Sequence, residues 1–222
     1  MNSTNVCSEH GVTLVGGGDP SAQNVTAALS LAPLLVAADG GANFCADMGK
    51  EPVAVIGDFD SLDAKTRRKF SYARFIEISG KADQDSTDFQ KCLARIGAPF
   101  VLGVGFTDAR LDHTLANLAA LAQMQGPPTI LIGTHDVVFA APRDVTLDFT
   151  VGTRISLFPL EDMEGTSEGL EWPIDGLTLS PLGRLGTSNR VVGPVRLQFD
   201  KQGCLVLTSR ENLPQVLRCL ID

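Results

Sequence analysis

A chain of 222 residues, 44% of them apolar, is long enough for one large or two modest globular domains. Its formal net charge of -8, without a cluster of positive charges, argues against a nucleic-acid-binding surface. The residues from Met1 to His10 contain no basic segment followed by an apolar one, and no run of about 18 apolar residues occurs, so we expect neither secretion nor a membrane span.

The five cysteines are widely spaced and odd in number. Without a C-x-x-C pair they predict neither a disulfide framework nor a metal or redox motif, and reduced thiols in a cytoplasm fit best. An acidic protein that binds phosphate usually recruits Mg²⁺ to offset charge repulsion. The positions of the aspartates are therefore the features to follow.

The first half, up to about Gln125, alternates β-like runs with helical patterns and predicts an open, mostly parallel α/β sheet. The strands expected are Val12–Val15, Leu34–Ala38, Val53–Ile56, Phe75–Ile78 and Phe100–Val104. The clearest helix spans Thr87 to Ile96, with Thr87 and Gln90 as a capping box. A second helix, from Asp112 to Gln125, is expected to present one apolar face, formed by Leu111, Leu115, Leu118 and Ala122.

The texture changes after Gly126, where two prolines precede short alternating segments. Those read as antiparallel strands are Thr129–Ile132, Val137–Ala140, Val145–Phe149, Arg154–Phe158, Leu177–Leu179, Val195–Phe199 and Leu205–Thr208. Such a series predicts a C-terminal antiparallel β-sandwich or barrel. We therefore expect two domains, 1–126 and 127–222.

Aspartates follow two predicted strands of the first half, where open α/β sheets place their ligands. Asp39 lies in ADGGAN, and Asp58 and Asp60 lie in VIGDFDSL. Carboxylates two residues apart in an extended segment point the same way and repel each other unless a cation lies between them. The alternative is that Asp and Gly simply form turns, which is the commoner reason for a lone D-x-D.

A third acidic group, in KADQDSTDFQKCL, contains Asp83, Asp85 and Asp88 at the start of the Thr87 helix. Acids in the first turn are stabilised by the helix dipole, by roughly 0.3 to 1 kcal/mol each, and need no metal. Three aspartates within six residues exceed what one helix end requires. Both interpretations stay open for this group.

The segment GVGFTDARLDHTLANL places Arg110 and Asp112 at the start of a helix. Arg110 offers a planar set of donors for phosphate oxygens, supported by free N–H groups of the helix start. Asp112 has the alternative role of N-cap. His113 has no partner at metal-ligand spacing and is expected to be a packed or hydrogen-bonding residue.

Two common phosphate signatures are absent. No G-x-x-x-x-G-K-[ST] occurs, and the triplet Gly16 to Gly18 is followed by Ser21 where a dinucleotide fingerprint requires glycine. The triplet either lets the backbone approach a ligand or forms a tight turn. Trp172 is the only tryptophan. Tryptophan is more often a core residue than a stacking surface for a ligand, but the polar neighbours of Trp172 leave both roles open.

Five motifs, ADGGAN, VIGDFDS, DQDSTDFQKCL, RLDHTLANL and GLEWPI followed by GTSN, resemble in order and spacing the thiamin pyrophosphokinase family across nearly the whole chain. The resemblance implies an N-terminal α/β domain that binds ATP and Mg²⁺, and a C-terminal β-sandwich that contributes to thiamine binding. It also implies a homodimer with active sites between subunits. The implied reaction moves diphosphate from ATP to the thiamine hydroxyl and releases AMP.

The resemblance also assigns roles to residues. The implied metal ligands are Asp39, Asp58, Asp60, Asp85 and Asp88. The implied catalytic set is Asp58, Asp60, Asp85, Asp88, Arg110 and Asp112. The implied substrate-binding set is Asp39, Gly40, Arg110, Asn117, Thr166, Ser167, Trp172, Ser188 and Asn189. The general base is left open, with Asp88 as one candidate.

One departure concerns the loop before Arg110, where many relatives carry Gly-Gly and this chain has Asp108 and Ala109. An extra carboxylate near bound phosphate is unfavourable unless it faces solvent or metal. The rival functions are a Mg²⁺-dependent phosphohydrolase, a nucleotide-sugar transferase, or a non-catalytic thiamine- or nucleotide-binding protein. The two rival enzymes leave the β half unexplained, and the intact acidic set disfavours the binding protein.

Overall fold

The computed structural model describes residues 6–78, 87–123 and 125–221. The chain divides into two compact units. The first comprises Met1–Ala120 with Gln125–Thr134, and the second comprises Leu121–Met124 with His135–Asp222.

The elements that begin in the first unit alternate between strands and helices, as the periodicity predicts. They are β1 Val6–Cys7, β2 Val12–Val15, α1 Ala22–Leu31, β3 Leu34–Ala38, α2 Gly41–Asp47, β4 Ala54–Gly57, α3 Ala64–Lys69, β5 Arg74–Glu77, α4 Asp88–Leu93, β6 Ile96–Gly97, β7 Val101–Val104, α5 Leu111–Ala122 and β8 Thr129–Ile132. The expected strands are confirmed to within one residue at most ends.

The sheet of this unit has the strand order β8-β7-β2-β3-β4-β5, and every neighbouring pair is parallel. Every residue of β2, β4, β7 and β8 is buried, as expected for parallel strands covered on both faces. Strand β2 lies between β3 and β7 in the sheet. The chain first adds β3, β4 and β5 on one side of β2, and later adds β7 and β8 on the other side. Loops leave the carboxyl ends of these strands in opposite directions, and ligands of open α/β sheets bind at such a point.

Two helices bear on the site. The capping box of α4 is confirmed, since the Thr87 hydroxyl accepts from Gln90 N–H and the Gln90 side chain accepts from Thr87 N–H. The expected apolar face of α5 is only partly buried, since Leu111 is 73% and Leu115 is 60% exposed, whereas Ala122 is buried. Asn117 lies on the buried side instead.

The second unit consists of the short segment 121–124 and the chain from His135 onward. Its strands are antiparallel. Its elements are β9 Asp136–Ala140, β10 Asp144–Leu147, β11 Arg154–Pro159, β12 Met163–Leu170, β13 Thr178–Leu179, β14 Gly186–Phe199, β15 Cys204–Ser209 and α6 Leu213–Ile221, with a 3-10 turn at Arg210–Asn212. The strand order β9-β15-β11-β14-β12-β13 follows, with β10 also paired to β14. The antiparallel pairing of these strands is as predicted, and closure as a sandwich stays a prediction. The prediction was wrong for Thr129–Ile132, which is β8 of the first unit and pairs in parallel with β7; all four of its residues are buried, as in a strand covered on both faces.

Strand β14 is much longer than the predicted segment Val195–Phe199. Its first residues pair with β11, and its last residues pair with both β10 and β12. Strand β12 was not predicted. Its register shifts near Gly169, whose φ of +72° is in the left-handed region, and a Cβ there would lie 2.1 Å from Pro194 O. The shift is a β-bulge that only glycine fits.

None of the helices in the described part of the chain has the length and apolarity needed to cross a membrane.

Candidate functional site

A cleft of about 820 Å³ opens at the carboxyl ends of the central strands of the first unit. The residues that follow β2, β3 and β7 line it, among them Gly17, Asp39 and Gly105. Asp58, Asp88, Lys91 and Arg110 also line it. The cleft therefore lies where the strand order predicts a ligand.

Three of the predicted carboxylates come together beside this cleft. Asp39, Asp58 and Asp60 each offer an oxygen, and these oxygens lie within 4.8 Å of one another. Asp39 follows β3, whereas Asp58 and Asp60 follow the adjacent strand β4. Three oxygens from neighbouring strand ends form a donor set suited to a hard divalent cation.

Asp39 is the buried member of the cluster, with 3% of its surface exposed. Its Oδ2 accepts a hydrogen bond from Ser61 N–H at 3.2 Å. Its Oδ1 is buried and has no hydrogen-bond partner among the described residues. Burial raises the pKa of Asp39, and the negative charge of Asp88 acts in the same direction. A buried, unpaired carboxylate oxygen is costly unless a cation binds it.

The loop that carries Asp58 and Asp60 is held by the residue between them. Phe59 has a φ of +66°, which is uncommon for an aromatic residue. Its ring packs edge-on against Phe75 with centroids 5.8 Å apart, and the Arg67 guanidinium lies 5.2 Å from the Phe59 ring. These contacts hold the loop that carries both carboxylates.

Lys91, on α4, links two of the acidic motifs. Its ammonium lies 3.3 Å from Asp58 Oδ2 and 3.0 Å from Asp88 Oδ1. Burial alone would raise the pKa of Asp58, but hydrogen bonds from Asp60 N–H and Lys91 lower it overall. Burial alone would lower the pKa of Lys91, but the two carboxylates raise it. The pair Asp88–Lys91 has the i, i+3 spacing that makes helix side chains meet, so the sequence contained a signal for this contact.

Arg110 and Asp112 lie at the outer part of the cleft. Their side chains are 69% and 65% exposed and form an ion pair at 2.6 Å. The hydrogen bond from Arg110 lowers the pKa of Asp112. Asp112 lies one residue inside α5, so it does not act as N-cap. His113 is exposed and lines the cleft, so it is not the packed residue that was one of the two expectations.

The carboxylate of Asp108 does not line the cleft. Its Oδ1 accepts from Thr134 N–H at 3.4 Å and from the Thr134 hydroxyl at 3.2 Å, and its Oδ2 accepts from Thr107 at 3.1 Å. These contacts direct the extra negative charge toward Thr134. Asn117 is buried, and its amide donates to Phe106 O at 3.0 Å, which fixes the loop after β7.

In the second unit, the predicted residues cluster around Trp172, which is 55% exposed and so is not a core residue. Asn189 is buried and holds the Trp172 backbone, accepting from its N–H at 3.2 Å and donating to its carbonyl at 2.6 Å. Ser167 accepts from Ile174 N–H through its hydroxyl, and its own N–H donates to Asp175. Asp175 was missed by sequence reasoning.

The remaining predicted residues are distributed as follows. Thr166 is exposed on β12, and Ser188 is exposed on β14 with a φ of +59°. Gly40 lines the cleft and precedes α2. Asp83 and Asp85 lie outside the described residues.

Comparison with known proteins places these features in one family. A model described as "Thiamin pyrophosphokinase, catalytic domain" matches residues 25–131, and one described as "Thiamin pyrophosphokinase, vitamin B1 binding domain" matches residues 143–204. The chain belongs to the thiamin pyrophosphokinase family. The catalytic-domain match includes Asp39, Asp58, Asp60 and the cleft loops after β3, β4 and β7. The vitamin-B1-binding match includes the whole cluster around Trp172.

Relatives with this family name are distant in sequence. Thiamine pyrophosphokinase 1 of Oryza sativa subsp. japonica is 26% identical, and the match covers 72% of each chain. Thiamine pyrophosphokinase of Bacillus subtilis is 27% identical, covering 72% of this chain and 78% of the relative. The fold agrees with that of yeast thiamin pyrophosphokinase at a TM-score of 0.74 and 19% identity, covering 91% of this chain and 87% of that one.

The buried carboxylate of this thiamin pyrophosphokinase family member leads to a stability prediction. A carboxyl whose pKa is higher in the folded than in the unfolded chain destabilises the folded state once it ionises, and this cost is fully present above the folded-state pKa. Asp39→Asn removes the charge and keeps an acceptor for Ser61. We expect it to raise the free energy of unfolding of the metal-free protein by about 1 kcal/mol at neutral pH.

The measurement is the thermal midpoint in EDTA, which should rise by a few degrees in Asp39→Asn. The gain should shrink as the pH is lowered toward the folded-state pKa, because Asp39 is then neutral in the parent protein as well. Asp60→Asn, at an exposed position, is the control and should not be stabilised. An unchanged or lower midpoint for Asp39→Asn contradicts the prediction.

Proposed function

We propose that this chain is a cytoplasmic thiamine diphosphokinase, which transfers the terminal diphosphate of ATP to the hydroxyl of thiamine. The observation that carries the proposal is the carboxylate cluster of Asp39, Asp58 and Asp60, in a cleft of a chain that matches both the catalytic and the vitamin-B1-binding models. The proposed domains are 1–126 for ATP and Mg²⁺, and 127–222 for thiamine.

The proposed metal ligands are the cluster aspartates together with Asp85 and Asp88. The donor set fits Mg²⁺, since it consists of carboxylate oxygens. One oxygen of Asp39, Oδ1, has no hydrogen-bond partner among the described residues. When bound, the ion would neutralise charge on the transferring phosphates. Without the ion, the negative charge of these aspartates would repel a nucleoside triphosphate.

The nucleotide phosphates are proposed to bind in the cleft, between the aspartates and Arg110. The guanidinium of Arg110 is exposed and held only by Asp112 among the described residues, so it can exchange this partner for a phosphate. Gly40 lets the backbone lie against the ligand, and Asn117 holds the loop after β7 through Phe106 O.

The reaction follows from this placement. The thiamine hydroxyl oxygen attacks the β-phosphorus of ATP, an O–P bond forms, and the bond between the bridging oxygen and the β-phosphorus breaks. AMP leaves with the oxygen that bridged the α- and β-phosphorus. The hydroxyl proton passes to a carboxylate, with Asp88 as the candidate. Positioning and charge neutralisation supply most of the rate, as in phosphoryl transfer generally.

The thiamine site is proposed to include Trp172, Thr166, Ser167, Ser188 and Asn189. An indole that is half exposed, with its backbone held at both N–H and carbonyl by one buried asparagine, has the rigidity of a stacking platform. Thiamine carries a permanent positive charge on its thiazolium ring, which an aromatic face attracts.

Trp172→Ala should therefore raise the KM for thiamine roughly 2- to 30-fold, the value of one cation–aromatic contact, while the KM for ATP changes little. Trp172→Phe should recover part of the loss. Tyr72→Ala, at an aromatic side chain that is 89% exposed in the first unit, is the matched control and should leave both constants unchanged. A lower thermal midpoint with unchanged thiamine KM would assign Trp172 to structure alone.

We further propose a homodimer with active sites between subunits. Exposed leucines at positions 111 and 115 on α5 support it, because a helix seldom presents two such side chains to water without a partner surface. Light scattering should give twice the chain mass. A monomer that is fully active would contradict this part of the proposal.

The rival functions differ in the substrates that they require and in the products that they form from a nucleotide. A diphosphokinase consumes ATP only when thiamine is present and produces AMP. A phosphohydrolase releases phosphate without thiamine, a sugar transferase acts on nucleotide sugars, and a binding protein turns nothing over. Thiamine-independent release of phosphate at the full rate would overturn the proposed function.

A further inference from the structure

Lys91 is a positively charged side chain that lies beside the aspartates of the cleft. Its side chain is only 8% exposed, whereas its partners Asp58 and Asp88 are 40% and 41% exposed. A buried ammonium requires carboxylate partners, and these two supply them. Lys91 therefore belongs to the site's charge balance as well as to α4.

Each oxygen of Asp58 accepts one hydrogen bond in this arrangement. Oδ2 accepts from Lys91 at 3.3 Å, and Oδ1 accepts from Asp60 N–H at 3.4 Å. The Oδ1 of Asp39, in contrast, has no hydrogen-bond partner among the described residues. A divalent cation that binds the whole cluster therefore shares Asp58 with Lys91, and the positive charge of Lys91 opposes its approach.

We propose that Lys91 is a positioning residue that acts as a built-in counter-cation, keeping the affinity of the acidic cluster for free divalent metal low until nucleotide phosphates give its ammonium another partner. Lys91 lines the same cleft as Asp39 and Arg110, so phosphate oxygens in that cleft are the anions within its reach. The metal then enters with the nucleotide. This inference rests on one part of the proposed function, namely that a complex of metal and nucleotide binds in the cleft.

The test is Mn²⁺ binding to the full chain without nucleotide or thiamine, followed by electron paramagnetic resonance of the free ion. Lys91→Met keeps the apolar stem and removes the charge. We expect it to bind Mn²⁺ at least about tenfold more tightly than the parent, because a neighbouring positive charge has been removed. Binding of an ATP analogue with a methylene group between the α- and β-phosphorus, in excess Mg²⁺, should weaken by about tenfold.

Two controls accompany this variant. Lys91→Arg keeps the charge and should bind Mn²⁺ as the parent does. Lys201→Met removes a lysine of comparable type, paired with Glu161 at 3.4 Å in the second unit, and should change neither affinity.

Unchanged or weaker Mn²⁺ binding by a folded Lys91→Met overturns the proposal and assigns Lys91 to loop support. If Lys91→Met does not fold, Lys91→Gln carries the same prediction, since it is also neutral and can still donate to Asp88. Because thiamine is absent from the experiment, its outcome does not depend on whether the chain phosphorylates thiamine.

Discussion

Replacing Asp58 or Asp60 by asparagine is expected to lower turnover by about a thousandfold or more while leaving the fold intact. Asparagine has nearly the same volume as aspartate, so loop packing through Phe59 is retained. What is lost is one negative charge from a set of three oxygens that lie within 4.8 Å of one another. The residual rate should rise with Mg²⁺ concentration, because the main defect is weakened binding of the cation.

The measurement is the rate of AMP formation at saturating thiamine, with circular dichroism as a check of the fold. Asp63→Asn is the matched control. Asp63 is exposed, precedes α3, and makes no side-chain capping bond, so the substitution should leave turnover near the parent value. Near-normal turnover of either cluster variant at ordinary Mg²⁺ would remove the metal assignment.

The second large effect is expected at Gly41, in the ADGGAN segment that carries Asp39. A Cβ at this position would lie 2.1 Å from Val15 O, a backbone atom at the end of β2 that cannot move aside. Gly41→Ala must push α2 away from the sheet or distort β2. We expect a loss of about 3 kcal/mol in the free energy of unfolding, and a thermal midpoint lower by roughly 10 °C.

Gly17→Ala is the control for this prediction. Gly17 also lies at the cleft, but its Cβ would meet its nearest neighbours at 3.6 Å, an ordinary contact distance. It should change the thermal midpoint by no more than about 2 °C. Equal midpoints for the two variants would show that the close approach of α2 to β2 is not as described.

Much of the first unit was predictable because its buried strands are short apolar runs bounded by Gly, Asp or Ser. Strands β2 and β3 were predicted with their observed bounds; the bounds of β8 were also predicted, but not its parallel pairing with β7. The aspartates that follow β3 and β4 then converge because the two strands are parallel neighbours. Local pattern and sheet topology act together there, so sequence reasoning could find the cluster.

Two stretches of the second unit, β12 and the part of β14 before Val195, were missed because they carry little apolar pattern. Strand β12 reads MEGTSEGL. Half-buried and exposed residues alternate along it, but glycine and serine take the half-buried positions, so no apolar alternation marks it. The first part of β14 includes Gly193 and Pro194, which normally signal a turn. Here the pairing with neighbouring strands overrides local preference, and a single sequence does not reveal it.

On α5, hydrophobic spacing predicted the amphipathic helix but not which side would be buried. The expected apolar face exposes Leu111 and Leu115, while Asn117 is buried because its amide satisfies Phe106 O. A buried asparagine with a specific backbone partner cannot be recognised by hydrophobicity. Lys91 was also overlooked, although its spacing from Asp88 suits an ion pair.

The measurement that tests the proposed activity most directly follows label from the β-phosphorus of ATP. The chain is incubated with thiamine, Mg²⁺ and ATP labelled at that atom, and the products are separated. We predict that the label appears in thiamine diphosphate and that unlabelled AMP forms in equal amount. Label retained in ADP, with thiamine monophosphate as the other product, or label released as inorganic phosphate or diphosphate, would contradict transfer of an intact diphosphate to thiamine.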